Sequence, residues 1–193
     1  MISRPILFSP PMVRALLDGR KTETRRLMDT PLARAREGDW LWVQEAFAIR
    51  RLGGREFELT YRADDQRKRR IWPARLAEPR PAPRPGRFMP RELSRISLRV
   101  AESRIERLWE IDEAGAAAEG MMPDGDGRWR DIGRLDAADA PRLDTARHAF
   151  GEYWQRLHPR PAESWDANPE VLVLRFDRIA ARNIDEIAAG AAT

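Results

Sequence analysis

Short apolar stretches alternate with polar intervals marked by glycine and proline, and the spacing within each stretch predicts an element. Ile6-Leu7-Phe8-Ser9 reads as a short strand or extended segment. Ser9 before Pro10-Pro11 forms a helix cap followed by proline in the first turn, and Met12, Val13, Leu16 and Leu17 fall on one helical face until Gly19 ends the helix. Between Gly19 and Arg26, Thr22, Thr24 and Arg26 alternate with Lys21, Glu23 and Arg25, which suits a strand with two polar faces. Glu37-Gly38-Asp39 is a turn, Trp40 to Phe47 a strong strand and Phe57 to Tyr61 another.

Arg67 to Phe88 holds five prolines and many arginines, so an irregular surface excursion is expected there. Ile96 to Leu108 alternates, shifts phase and resumes, as one long strand with a bulge or two strands in sequence would. Asp112 caps a short helix running through Glu119, which Gly120 ends. Met121 to Asp139 reads as a loop. Pro141 to Leu157 reads as an amphipathic helix with Leu143, Ala146, Phe150, Tyr153, Trp154 and Leu157 inward. Trp165 to Pro169 turns into an apolar strand, Val171 to Phe176, and Asn183 opens a weak helical tail. Five or six strands with turn-rich intervals and short helices predict an α+β fold built on a small, closed or nearly closed β-barrel. The 193 residues fit one domain carrying insertions at about 65–88 and 121–157 and a weakly ordered tail at about 183–193.

Composition narrows the chemistry. There is no cysteine, which excludes disulfides and thiolate metal sites, and the two histidines, His148 and His158, are too few for a His-based metal centre. No metal or cofactor is expected. No apolar run approaches the ~20 residues that cross a membrane, so no membrane partner is expected and the cytoplasm is the default location. Charged residues make up 34% of the chain and the net charge is +4. Only Lys21 and Lys68 are lysines, so 33 of the 35 basic residues are arginine. That balance permits nucleic-acid binding and equally fits an arginine-rich surface offset by 31 acids. It also singles out Lys21, because a group that must lose its proton cannot be arginine.

The densest functional signal is Gly19-Arg20-Lys21-Thr22-x-Thr24-Arg25-Arg26. Together with Leu7-Phe8-Ser9, Met12-Val13, Gly38-Asp39-x-Leu41-Trp42-Val43-x-Glu45, Tyr61-Arg62-Ala63-Asp64, Met89-Pro90-Arg91, Ser94-Arg95-Ile96 and Trp165-Asp166-x-Asn168-Pro169, it resembles ASCH-domain proteins of phages and prophages, in the same order along the chain. Outside the resemblance lie part of Arg67 to Arg87, Met121 to Ala140 and the tail after Ile179. The resemblance implies a PUA-like barrel with a cleft for RNA or a nucleotide-like ligand. In one small branch of the family the cleft belongs to an amidohydrolase that deacetylates N4-acetylcytidine. That branch's working lysine and threonine match Lys21 and Thr24, and its glutamate is matched to Glu119. This chain is roughly twice as long as those hydrolases, and it carries Glu92 where many relatives have an aromatic residue.

Beside the resemblance, a neutral Lys21 would take the proton of Thr24 as its hydroxyl attacks an amide, and a protonated Glu119 would give a proton to the leaving amine. The alternative keeps Lys21 charged in a structural ion pair with Glu119. On a regular strand Lys21 and Thr24 leave opposite faces, so an irregular backbone is expected at Arg20 to Glu23. Arg20, Arg25, Arg26, Trp42, Glu45, Tyr61, Arg91 and Arg95 are the candidate ligand-binding residues. Arg91 and Arg95 would clamp phosphate or make surface ion pairs, Tyr61 would stack or pack, and one of Trp40 and Trp42 belongs to the core. The expected function is RNA or nucleotide binding, with deacylation of a modified nucleoside second and ribonuclease activity third. A protein partner would dock through 121–157.

Overall fold

The computed structural model describes residues 2–74, 82–134, 139, 141–180 and 182–190, with 178–180 as backbone alone. The expectations for 75–81, 135–138 and 140 within the two insertions, and for 191–193 in the tail, therefore lie outside the described residues. The fold is α+β, mostly strands in two sheets with few helices. The chain gathers into two compact units whose segments interleave in sequence. The first comprises Met1–Arg14, Trp40–Leu98 and Ile179–Thr193, the second Ala15–Asp39 and Arg99–Arg178.

In the first unit, β1 (Ser3–Leu7) pairs parallel with β3 (Trp40–Gln44), Ser3 opposite Trp40 and Leu7 opposite Gln44. A four-stranded antiparallel sheet has the order β6-β5-β4-β7, formed by β4 (Phe47–Gly53), β5 (Glu56–Tyr61), β6 (Arg67–Ile71) and β7 (Pro83–Arg84). Alternation along β5 buries Phe57, Leu59 and Tyr61 completely, opposite Ile49 and Phe47 of β4. Trp72 meets Phe57 edge-on at 5.8 Å between centroids, and Met89 and Leu93 complete the cluster. Each such large side chain contributes roughly 1.5–3 kcal/mol by leaving water. Asn183 of the segment before α4 (Ile184–Gly190) donates to the Arg91 and Ser94 carbonyls at 2.8 Å each.

Strands β8 (Ser97–Arg107), β9 (Glu170–Ala180) and β2 (Glu23–Leu27) follow one another in the order β8-β9-β2, with Arg99–Arg107 of β8, Glu170–Arg178 of β9 and all of β2 in the second unit. Val171, Leu172, Val173 and Leu174 are all buried, as a strand flanked on both edges and covered on both faces requires. Helices α2 (Glu113–Ala118) and α3 (Ala146–Leu157) pack in this unit, with Phe150 between Trp154 and Trp165 at 6.0 and 6.2 Å. Helix α1 (Pro10–Leu17) links the first segments of the two units and ends at Gly19, whose φ of +74° favours glycine.

Several expectations are corrected. The strand foreseen from Trp40 to Phe47 stops at Gln44 and a new one starts at Phe47. Glu45 turns its carboxylate inward, and Gly86 approaches so closely that an added Cβ would lie 2.9 Å from the Glu45 carbonyl carbon. Arg67 to Phe88 is not wholly irregular, because Arg67–Ile71 and Pro83–Arg84 form the two edge strands. Nine strands are formed among the described residues, beyond the five or six foreseen. The strand from Ser97 to Arg107 is unbroken. Helix α3 starts at Ala146, where the Thr145 hydroxyl accepts from the His148 amide, while Leu143 exchanges two 2.8 Å backbone bonds with Trp129. Leu17 and Leu157, expected inward, are 37% and 43% exposed at the last positions of their helices.

Candidate functional site

The Gly-Arg-Lys-Thr stretch folds around the end of α2. The amides of Arg20 and Lys21 both donate to the Ala15 carbonyl at 2.9 Å, and the Thr22 amide donates to Ala118 O at 2.8 Å. The backbone is therefore irregular through Thr22 and becomes strand at Glu23. From the other side, the Asp112 carboxylate caps α2 by accepting from Gly115 N at 2.7 Å, and Glu119 closes the helix. Gly120 follows with φ +100°, and a Cβ there would sit 3.0 Å from the Ala15 Cβ and 3.3 Å from the Lys21 Cβ. Glycine is needed at 120 for both backbone and space, and it lets the Lys21 stem lie against the helix end.

These turns bring Lys21 and Glu119 together. The Lys21 ammonium donates to Glu119 Oε2 at 2.5 Å, to Glu23 O at 2.8 Å and to Glu119 O at 3.0 Å, which uses all three of its protons. Glu119 Oε1 accepts from the Arg25 amide at 2.5 Å. Lys21 is 1% exposed and Glu119 3%. Burial pushes the Lys21 amine down to about 8 from 10.5, although Glu119 pulls the other way. Below that value folding carries the cost of a buried ammonium. The unfolded chain keeps the proton up to 10.5, so this group's contribution to stability rises with pH between about 8 and 10.5, by about 3 kcal/mol in all. With two lysines in the chain, labelled-lysine NMR should show two side-chain signals, with Lys68→Arg giving the assignment. The Lys21 signal should titrate near pH 8, and a midpoint above 10 would show that Glu119 outweighs burial.

Glu23 and Arg25 share one face of β2 and extend the network. Arg25, 3% exposed, donates through Nε to Glu106 Oε1 at 2.8 Å and has Nη2 2.7 Å from the same oxygen. Its Nη1 lies 2.8 Å from Glu23 Oε1, out of line for a hydrogen bond, and 3.6 Å from Glu119 Oε1. Arg104 reaches Glu102, Glu106 and Glu23 at 3.0, 3.1 and 3.4 Å. Beside this lattice opens a pocket of about 340 Å³ lined by the acids Glu23, Glu106, Glu110 and Asp112 and by Arg25 and Arg104. Gly115 on its wall leaves room for Arg25, whose Nη2 would be 3.1 Å from an added Cβ. A larger pocket, about 440 Å³, lies elsewhere in the unit between α3 and Trp165.

Thr24 lies on the other face of β2 from Glu23 and Arg25. It pairs with Leu174 on β9 and is 1% exposed. Among the described hydrogen bonds none joins its hydroxyl to Lys21 or Glu119. Arg20 donates to Gly120 O at 3.1 Å and pairs with Asp18, and Arg26 is half-buried, with burial lowering its proton affinity.

Trp42, Glu45, Tyr61, Arg91 and Arg95 belong to the first unit, each with its own local role there. Arg95 grips Glu45 through Nε and Nη2 at 2.8 and 2.9 Å and Asp64 through Nη1 and Nη2 at 2.8 and 3.0 Å, with its guanidinium 4.2 Å above the Tyr61 ring. Tyr61 is buried and donates to Leu93 O at 2.8 Å, so it packs. Arg91 pairs with Asp185 at 2.6 Å. Trp40 is buried while Trp42 is half-buried. Asn168 adopts φ +46° and accepts from Trp109 N, shaping the turn before β9.

The sequence reading missed Glu23, Arg104 and Glu106 as partners of the motif. The signal was present in Glu102, Arg104 and Glu106, which alternate on one face of β8. Among the described residues no group of three or more His, Cys, Asp or Glu side chains is placed to hold a metal, and no helix is long and apolar enough to cross a membrane. Compared with protein-family models, curated proteins and solved structures, the chain gave no match.

Proposed function

We propose that the chain is a PUA-like domain of the ASCH type that binds a nucleoside or the nucleotide of an RNA at the carboxylate-lined pocket of the second unit. The observation that carries this reading is the arrangement behind the pocket. Lys21 of the Gly-Arg-Lys-Thr segment lies buried there, and with Glu119 it holds the backbone of Glu23 and Arg25, two residues whose side chains line the opening. Four acids against two arginines make a poor phosphate cradle and a good partner for the amino and ring N–H groups of a base. Arg25 and Arg104 pair with Glu23 and Glu106 and offer donors for base carbonyls.

Calorimetric titration with cytidine, N4-acetylcytidine, uridine, adenosine and guanosine tests the reading. At least one should bind saturably, and Glu106→Gln should weaken that binding about tenfold, the loss of one charge-assisted hydrogen bond. No saturable binding by any of them, or binding unaffected by Glu106→Gln, would overturn it.

A second reading, hydrolysis of N4-acetylcytidine or a related amide, is favoured by one observation, the depressed Lys21 amine. It requires the substrate to reach Thr24, which is 1% exposed. Release of cytidine by the wild type, abolished in both Lys21→Ala and Thr24→Ala, would establish it; equal turnover in all three would end it.

A further inference from the structure

The two units differ in charge. Segments of the first carry 17 lysines and arginines against 9 acids, a formal +8, and those of the second carry 18 against 22, a formal −4, which together give the chain's +4. The excess in the first unit has a place. Edge strand β6 reads Arg67-Lys68-Arg69-Arg70-Ile71 without an acid, and pairing sets Arg67 opposite Thr60 and Arg69 opposite Glu58. Glu58 also faces Arg50 of β4, which pairs with it at 3.0 Å. Residues directly opposite in an antiparallel sheet share a face, so Arg50, Arg67 and Arg69, all exposed, stand together on one side of β4-β5-β6. The Glu58 carboxyl among them is held below its usual range, first by its hydrogen bond from Arg50 and further by Arg67 and Arg69.

A charged edge strand guards against edge-to-edge pairing. That role explains cations on β6 but not the extension of the basic face across β5 to Arg50 on β4. We infer that this face is a docking surface for the sugar-phosphate backbone of a nucleic acid, separate from the base-sized pocket of the second unit. Arg67 and Arg69 repeat at two-residue spacing, roughly 6.8 Å along the strand, and each presents a planar fork suited to a phosphate. A nucleic acid supplies such groups in a dense row. Ile71 is the one large apolar side chain exposed on β6, which gives the face little to insert into a lipid surface.

The test is fluorescence anisotropy on the full chain, over a series of salt concentrations. The probes are a mixed-sequence single-stranded RNA of about 20 nucleotides, the matching DNA, and vesicles of phosphatidylcholine with phosphatidylserine. Wild type should bind RNA with log K falling linearly in log salt. The triple variant Arg50→Gln, Arg67→Gln, Arg69→Gln should lose about 2 from the slope and about 10- to 100-fold in affinity at 0.1 M salt. The triple lysine variant should keep the slope. A control that removes as much charge from the second unit, Arg128→Gln, Arg142→Gln, Arg160→Gln, should leave RNA binding within about twofold. DNA bound equally well would identify the backbone alone as the ligand, and RNA bound tighter would add the 2′-hydroxyl. The inference fails if the triple glutamine variant, with an unchanged denaturation midpoint, binds RNA like the wild type. It fails too if both triple glutamine variants lose affinity alike, or if only vesicles bind. Nucleoside titration of the same variants separates this outcome from the pocket reading, since the basic-face variant should keep its nucleoside affinity.

Discussion

Replacing Arg95 by methionine should lower the unfolding free energy by about 3–5 kcal/mol, the loss expected when one member of a buried ion pair is removed. The side chain is 5% exposed, with Glu45 on one edge of its fork and Asp64 on the other. Its removal takes the hydrogen-bonded counter-charge from the Glu45 carboxylate, which is 1% exposed. Burial already pushes that carboxyl up even though Arg95 opposes the shift, and without Arg95 it rises further. An acid whose folded value exceeds its unfolded one takes up a proton on folding, so stability is retained at low pH and falls as pH rises from the unfolded to the folded value. The deficit of Arg95→Met should therefore be small near pH 4 and reach its full size by neutrality. Adding Glu45→Gln should recover part of it. Urea denaturation with an unchanged m-value is the measurement, and a neutral-pH loss below about 1 kcal/mol would show that Glu45 reaches water.

Glu119→Ala should cost a similar amount, about 3–5 kcal/mol at neutral pH, and it acts on three groups at once. The Lys21 ammonium loses the Glu119 carboxylate, the Arg25 amide loses its acceptor, and the Arg25 guanidinium loses one of the three acids described around it. Lys21 keeps the Glu23 carbonyl, and its amine falls further below 8, neutralising in preference to standing buried and charged. The gap between variant and wild type should then narrow as pH rises towards about 8 and stay at its smallest above it, where the amine is neutral in both folded states. A gap independent of pH from 6 to 10 would mean that the amide and guanidinium losses dominate and that Lys21 contributes nothing.

Part of this arrangement was legible in the sequence. Proline and glycine bracket α1, Asp112 and Gly120 bracket α2, and the lone lysine of the basic motif was singled out with Glu119 as its partner. Those features depend on local backbone chemistry or on a resemblance carried by the motif. What escaped depends on neighbours distant in sequence. Strand β6 has no apolar alternation because an edge strand with one polar face needs only backbone pairing. The start of α3 was misplaced because Leu143 spends its backbone on Trp129 and the Thr145 cap lies behind it. Glu45 and Arg95 looked like ligand contacts because, 50 residues apart, nothing announces that each satisfies the other. The separation of charge could not be seen in any window of the sequence, since each unit is stitched from separated pieces.

That stitching has a consequence for biosynthesis. The ribosome releases residues in order, at about 5–20 per second, and every residue assigned to the second unit precedes Ile179. The acidic unit can thus mature while its basic counterpart still awaits Asn183 for the Arg91 and Ser94 carbonyls and Ile184 for its interior. The unit that carries the surface inferred to grip RNA is therefore completed after the acidic one.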